Sequence, residues 1–369
     1  MPTPVGFGAA PTTCREFLAP YQAASNRASP LIVRLAETRL AIHANDPGLL
    51  DALADAYWDF PGDEGPVDVS LDVVETPGDN PIWPDADTPG AGQTAKESWL
   101  DLPDGRIVCK RHTGIRLVFG PAGNAVLGPC RRHLDQVVNA INCRFMEREL
   151  AAGAVLLHAA AVSDGSRGLA IAGLAGAGKS TLALELTRRG ACFVSNDRLL
   201  VASGPQGPVM TGQPRAPRVN PGTLLANDRL VGLLPEAERC RFAAMSEEAL
   251  RAVERKYDVS IHRAFGPGRF RLRAALTAVV VLGWKPGGGA LRAEWTCLAT
   301  RPELAAILHK ELGPLVAMGP RAARTSDILT VLGRQPLLYL SGGLERERAA
   351  ALSFDLLTGS GWPALRSVS

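Results

Sequence analysis

The sequence predicts an α/β fold built around a phosphate-binding loop and preceded by a smaller α+β domain. Three observations carry this expectation. Residues 168–180, "GLAIAGLAGAGKS", pass from an apolar strand through a glycine-rich loop into a helix. The next stretch continues the alternation, with a short amphipathic helix and then the apolar strand "CFVS". Before residue 150 the pattern differs: short alternating strands are interspersed with helical segments and show no such regular order.

Residues 1 to about 30 read as an irregular or helical lead-in. "LIVRLAETRLAIHAND" then predicts two short strands around a Glu-Thr turn. Asp46-Pro47 opens a helix, with aspartate at the cap and proline in the first turn, and Leu49, Leu50, Leu53, Ala54 and Tyr57 form its apolar stripe. "VDVSLDVVE" is an alternating strand, and residues 77–94, rich in Pro, Gly and Asp, predict an exposed loop. "RIVCKRHTGIRLVFG" predicts a hairpin. A helix is expected from about Arg131 to Ala151, and its end sets the boundary between domains at 1–150 and 151–369. In the second domain "AVLLHAAAV" reads as one strand, "SDGSRG" as a turn and "GLAIAG" as the strand feeding the loop. Thr181 to Arg189 predicts a helix stopped by Gly190, which suits a left-handed cap position. A polar helical region near 235–256, the buried strand "LTAVVVLGW" and a final strand and helix from 336 complete the reading.

At 369 residues the chain is long enough for two domains, each with its own core. A composition of 46% hydrophobic and 21% charged residues is that of a globular protein, and a net charge of +3 argues against general affinity for nucleic acid or membrane. No apolar run reaches membrane-spanning length and no leader pattern opens the chain, so a cytoplasmic location is expected. The seven cysteines are scattered and contain no Cys-x-x-Cys, which favours reduced thiols over a disulfide framework or a zinc site.

Residues 173–180, "GLAGAGKS", satisfy the pattern G-x-x-x-x-G-K-[ST] completely. Glycines allow the backbone to curl until successive amides face phosphate oxygens, and the following helix adds its positive end. Gly173, Ala175, Gly176, Ala177, Gly178, Lys179, Ser180 and Thr181 are therefore the expected nucleotide contacts. Lys179 would reach the β- and γ-phosphates, and the Ser180 hydroxyl would face Mg²⁺. A mere glycine turn does not explain why one of only six lysines in the chain falls in this slot. One helix, one turn and one strand later stands Ser195-Asn196-Asp197-Arg198. If that strand runs parallel to the loop strand, Asp197 comes within reach of the metal on the phosphates. The other reading of Asn196-Asp197 is a turn or helix cap. The later buried strand "AVVVLG" ends in Gly283-Trp284 and carries no acid.

Taken together, His158, the loop and "SNDR" resemble the catalytic domain of the HPr kinase/phosphorylase family, bacterial serine kinases with a P-loop fold related to phosphoenolpyruvate carboxykinase. "HAAAV", "AGAGKSTLAL", "SNDR", "PRVNPGT" and "KYDV" follow one another as in the branch called HPr-kinase-related kinase B. The resemblance covers about 130–300 and thins on either side. It implies a histidine on the strand before the loop strand, matching His158, and an Asp-Asp-Arg ending, matching Asn196-Asp197-Arg198. Two departures stand out. The family's first aspartate, its proton acceptor and donor, is Asn196 here, and its second signature segment has no clear equivalent.

His158 reads either as a packed core histidine or as a partner of Asp197 or of the acceptor. "PRAPRVNPGT" is either a rigid surface loop or the carrier of an arginine for the transferring phosphoryl group, with Arg218 preferred to Arg215. Lys256 and Asp258 either close the site or belong to a solvated helix end. The leading expectation is an ATP- and Mg²⁺-dependent serine kinase acting on a small protein or peptide, with Lys179, Asn196, Asp197, His158 and Arg218 in its chemistry and Ser180 and Asp197 toward the metal. The rival expectations are a small-molecule kinase and a nucleotide-gated binding protein with weak ATPase activity. The family is hexameric, so a homo-oligomer is possible, although no feature of this chain fixes subunit number.

Overall fold

The computed structural model describes residues 11–21, 29–77, 90–285, 287–316 and 325–360. The chain divides into two compact units, Met1–Arg148 with Leu312–Arg321, and Glu149–Glu311 with Ala322–Ser369. The sequence-based boundary near 150 did not foresee that a late segment groups with the first unit. Hydrogen bonds from two buried arginines supply the reason: Arg106 Nη1 donates to the Pro314 carbonyl at 3.2 Å, and Arg144 Nη2 donates to that of Leu315.

The first unit begins with the short helix α1 (Cys14–Leu18) and is organised by one eight-stranded mixed sheet. Its strands are β1 (Leu31–Leu35), β2 (Thr38–Ala44), β3 (Val69–Glu75), β4 (Ala91–Gln93), β5 (Glu97–Leu102), β6 (Gly105–Lys110), β7 (Arg116–Phe119) and β8 (Ala125–Gly128). They lie in the order β1-β2-β3-β8-β7-β6-β5-β4. β2 pairs parallel with β3, and a parallel pair needs a crossover. Helix α2 (Pro47–Ala56) is part of it, capped by the Asp46 carboxylate on Leu49 N and burying Leu49 and Leu53. The expected hairpin is β6–β7. The expected loop at 77–94 is only partly described, since 78–89 lie outside the described residues, and its end is corrected: Ala91–Gln93 is a strand pairing with β5. "AGQ" is too short to show a period of its own, and only its partner makes it a strand. Helix α3 (Leu134–Ala151) follows β8.

The second unit contains a six-stranded sheet and a four-stranded sheet. Its strands in chain order are β9 (Val155–Leu157), β10 (Ala159–Ser163), β11 (Gly168–Gly173), β12 (Cys192–Ser195), β13 (Leu199–Gly204), β14 (Gly207–Gly212), β15 (Arg218–Val219), β16 (Tyr257–Asp258), β17 (Arg273–Ala275), β18 (Ala278–Leu282), β19 (Arg292–Thr296) and β20 (Leu337–Ser341). The larger sheet has the order β12-β10-β11-β18-β20-β19, the smaller β17-β14-β13-β9, and β15–β16 form a separate ribbon. β11, β18 and β20 run parallel and are buried along their length apart from Tyr339 and Ser341, which accounts for their continuous apolar sequences. Helix α4 (Lys179–Arg188) packs on β10 and β11, and α11 (Arg346–Thr358) packs on α4. Gly190 follows with φ 127°, a conformation open mainly to glycine. Of the intervening helices, α5 (Pro221–Leu225), α6 (Glu236–Ala243), α7 (Glu247–Arg251) and α8 (Ile261–Phe265) precede β17. α9 (Ala305–Leu308) and α10 (Thr325–Leu332) contribute Leu308, Ile328 and Leu332 to the core that also holds Leu157, Val194 and Leu199.

One expectation fails instructively. "AVLLHAAAV" is not a single strand. It breaks at His158, whose backbone N–H donates to the Leu308 carbonyl at 2.8 Å instead of continuing a ladder, and β9 and β10 belong to different sheets. Among the described residues no helix is long and apolar enough to cross a membrane. None of the seven cysteines is joined in a disulfide.

Candidate functional site

The site arises where two neighbouring segments change sheets together. The chain leaves the four-stranded sheet at β9 and enters the six-stranded sheet at β10, with His158 between them. The return passage runs from β12 into β13 through Asn196, Asp197 and Arg198. The two passages are antiparallel neighbours, because Ala161 pairs with Ser195 and Leu157 with Leu199. His158 therefore faces the 196–198 turn. Ser195 Oγ fastens the turn by donating to the Arg198 carbonyl at 2.6 Å. β10 is antiparallel to both β11 and β12, so β12 runs parallel to the loop strand with β10 between them.

The loop grows out of β11, whose carboxyl end is where open α/β sheets place their ligands. Gly176 and Gly178 have φ of 79° and 93°, in the left-handed region that only glycine enters freely. Gly173 closes β11, and its carbonyl accepts a hydrogen bond from Lys179 Nζ at 2.9 Å, with a second to Leu174 at 3.2 Å. The lysine is thus folded back over its own loop and is only 8% exposed. Its pKa is lowered, first by burial and then by Lys310, against the opposing charge of Asp197. Thr181 Oγ1 is hydrogen-bonded to Thr223 Oγ1 at 2.8 Å, tying the start of α4 to α5. Behind the loop, Trp284 Nε1 donates to the Ala177 carbonyl at 2.9 Å, so the acid-free end of β18 buttresses the loop through an indole.

A polar cleft of about 490 Å³ lies over this ground. It gathers His158, Ala175, Gly176, Gly178, Lys179, Ser180, Thr181, Asn196, Asp197, Arg198, Arg215, Arg218 and Lys256 from the residues named in the sequence, together with Gln213. Gly173 and Ala177 are not on its wall. Gly173 holds Lys179, and Ala177 lines a second cleft of about 530 Å³ on the other flank of the loop, alongside Leu182, Leu250, Trp284 and Leu344. Asp258 pairs with Arg218, Nε to Oδ1 at 3.2 Å, across the β15–β16 ribbon, where a helix end had been the alternative expectation.

Asp197 is the electrostatic centre. His158 Nε2 lies 2.9 Å from its Oδ1 and Lys310 Nζ lies 2.8 Å from its Oδ2. Burial pushes its carboxyl up, but the hydrogen bonds from His158 and Lys310 and the charge of Lys310 outweigh this and hold it well below the usual carboxylate range. Sequence reasoning missed Lys310. The segment before it is held against the sheet switch by the Leu308 carbonyl and by a bridge between His309 and Leu157. An ionised carboxylate has about four acceptor positions, so two partners leave room for a third.

Three polar atoms around the cleft are buried without a hydrogen-bond partner: Asn196 Oδ1, Arg198 Nη1 and Gln213 Nε2. Each such atom costs roughly 1–3 kcal/mol, and buried polar groups are otherwise nearly always satisfied. A free acceptor beside Asp197 and a glycine-built cradle beside Ser180 fit a phosphorylated ligand carrying a divalent cation. Asn196, Asp197 and Ser180 are oxygen donors, as Mg²⁺ requires.

No protein-family model and no curated protein sequence matches the chain. Among solved structures, the HPr(Ser) kinase/phosphatase from Coxiella burnetii is similar over 55% of this chain and 94% of that chain, at 13% sequence identity and a TM-score of 0.26. The functional reading rests on the cleft itself.

Proposed function

We propose that the chain is a phosphotransferase of the HPr-kinase type that moves the γ-phosphoryl group of ATP to a hydroxyl, with a serine on a small protein or peptide as acceptor. The observation that carries this reading is the meeting, in one cleft, of Ala175, Gly176 and Gly178–Ser180 of the phosphate-binding loop with the His158–Asp197 pair, which Lys310 braces, and the unpartnered Asn196 oxygen. Ser180 and Asp197 would hold Mg²⁺, which when bound neutralises phosphate charge. Lys179 would exchange its loop carbonyls for phosphate oxygens, and Arg218 would stabilise charge on the group in transit. Phosphoryl transfer passes through a loose transition state, so positioning does most of the work and a strong base is not required. Asn196 would accept the hydroxyl's hydrogen bond and orient it.

The reading is tested by incubating the protein with γ-labelled ATP, Mg²⁺ and a lysate of its own source. A labelled protein or peptide is expected. A labelled small molecule would move the acceptor class, and hydrolysis alone would reduce the protein to a nucleotide-gated binder. Direction supplies a second test. Phosphorolysis expels a serine oxygen, a far poorer leaving group than the ADP expelled from ATP, so the carboxyl proton that Asn196 lacks weighs more in this direction. Phosphorylated acceptor with enzyme, Mg²⁺ and excess phosphate should therefore release no appreciable pyrophosphate. Robust release would mean that His158 or another group moves the proton.

A further inference from the structure

We infer that Arg198 and Gln213 form an oxyanion subsite beside the reacting centre, one that receives a carboxylate or phosphate carried by the acceptor close to its hydroxyl. The two residues come from opposite arms of one hairpin. Leu199 pairs with Gly212 at the last rung of β13–β14, so Arg198 and Gln213 are the next residues outward on the two arms. Both line the cleft that contains Asp197. Gln213 is only 7% exposed, and its Nε2 donor, like Nη1 of Arg198, is buried with no acceptor.

Buried donors without an acceptor are uncommon, and here two fall on residues at matching positions of one hairpin that line one cleft. Each side chain gains when an acceptor oxygen arrives. The chemistry of the pair selects that acceptor: a guanidinium offers a planar fork suited to carboxylate or phosphate, and the neutral amide adds a donor without adding charge. The charge balance of the cleft points the same way. Lys179, Arg198, Arg215, Arg218 and Lys256 line it against the carboxylate of Asp197. Lys179 is engaged by its loop and Arg218 by Asp258, whereas Arg198 has no acidic partner among the described residues. The position next to Asp197 assigns the oxyanion to the acceptor, and in this the inference rests on the phosphotransferase reading.

The test loads the full chain with Mg²⁺ and the non-hydrolysable analogue AMP-PNP, so that the loop and the γ-position are filled. Inorganic phosphate is then titrated calorimetrically in one arm and malonate in the other. Saturable binding of at least one is expected, weakened at least tenfold by Arg198→Gln. Gln213→Glu, which places a competing carboxylate against Arg198, should have the same effect, and Arg198→Lys should retain part of the affinity. Thermal melting checks that each variant is folded, and the conservative lysine variant carries the comparison if Arg198→Gln does not fold. Preference for phosphate identifies a phosphomonoester-bearing acceptor, and preference for malonate a carboxylate-bearing one. The subsite is overturned if neither anion binds the loaded protein, or if the variants bind as the wild type does. Failure of AMP-PNP to bind would instead remove the phosphotransferase reading. The titration would then be made on nucleotide-free Lys179→Ala protein, where anion binding abolished by Arg198→Gln sustains the subsite and absence of binding overturns it.

Discussion

Arg144 and Arg106 in the first unit and Arg198 in the second are treated in opposite ways. In the first, Arg144 is enclosed by its own chain: Nη1 meets Glu147 at 2.6 Å, Nη2 reaches the Leu315 carbonyl, and its guanidinium lies 3.9 Å from the centre of the Phe119 ring. Arg106 is closed similarly by Asp101, the Pro314 carbonyl and the face of Trp99. In the second unit, Arg198 has a buried donor with nothing to bond, and its neighbours Asn196 and Gln213 share that condition. A cation that its own chain satisfies holds a fold together. A donor left without an acceptor beside a cleft is, by the inference drawn above, available to something outside the chain.

The sharpest way to break this comparison is at the loop. Lys179→Ala should lower phosphoryl transfer by up to about 10³-fold in a protein that remains folded, since a lost charge-stabilising donor at a reacting phosphate has that scale. Near-normal transfer would take the loop out of the mechanism. Asp197→Asn comes next, with a loss of about 10²-fold in Mg²⁺-dependent activity, larger than that of Asn196→Ala. The reverse ranking, measured over a Mg²⁺ titration, would exchange the roles of the pair. Arg144→Met should act on stability only, at roughly 2–3 kcal/mol in denaturant unfolding, with nucleotide affinity of the folded protein unchanged. A fall in affinity would erase the distinction between closed and open arginines.

The smallest effect concerns pH. The folded-state pKa of Asp197 is depressed, so the carboxylate contributes stability that is present above its unfolded value, about 3.9, and lost as pH falls through the folded value. Lys310→Met removes part of the depression. The variant should therefore be modestly less stable than wild type at pH 7, and the gap should narrow as the medium is acidified below pH 4. A gap independent of pH would show that Lys310 acts by packing alone.

The two halves of the site differ in how legible they were. The loop announces itself because its glycines, lysine and serine are consecutive, and the demand for positive φ at Gly176 and Gly178 leaves a direct mark on the residue types. Asn196-Asp197 could be placed because strand, helix and strand fix the path from loop to turn. Lys310 left no such mark: it lies 113 residues from its partner Asp197, and only the fold of the intervening chain brings them together. One signal was present, since the scarcity of lysine that gave weight to Lys179 applied equally to Lys310. The break at His158 was hidden for another reason. "AVLLHAAAV" is apolar on both sides of the histidine because both sheets bury their strands, so the sequence pattern does not change where the sheet does. In the first unit, β4 and β5 escaped because an edge pair of short strands has little periodicity to read.

The indole of Trp284, hydrogen-bonded to the back of the loop, turns the loop into an optically observable object. Indole emission responds to the polarity and hydrogen bonding of its N–H, and the partner here is the Ala177 carbonyl of the loop that the proposed function sets against phosphate. Under the proposed function, nucleotide arrival should register as a change in tryptophan emission, with Trp284→Phe as the reference that subtracts the other five indoles. Stopped-flow mixing would then time the loop itself, separately from any chemistry that follows.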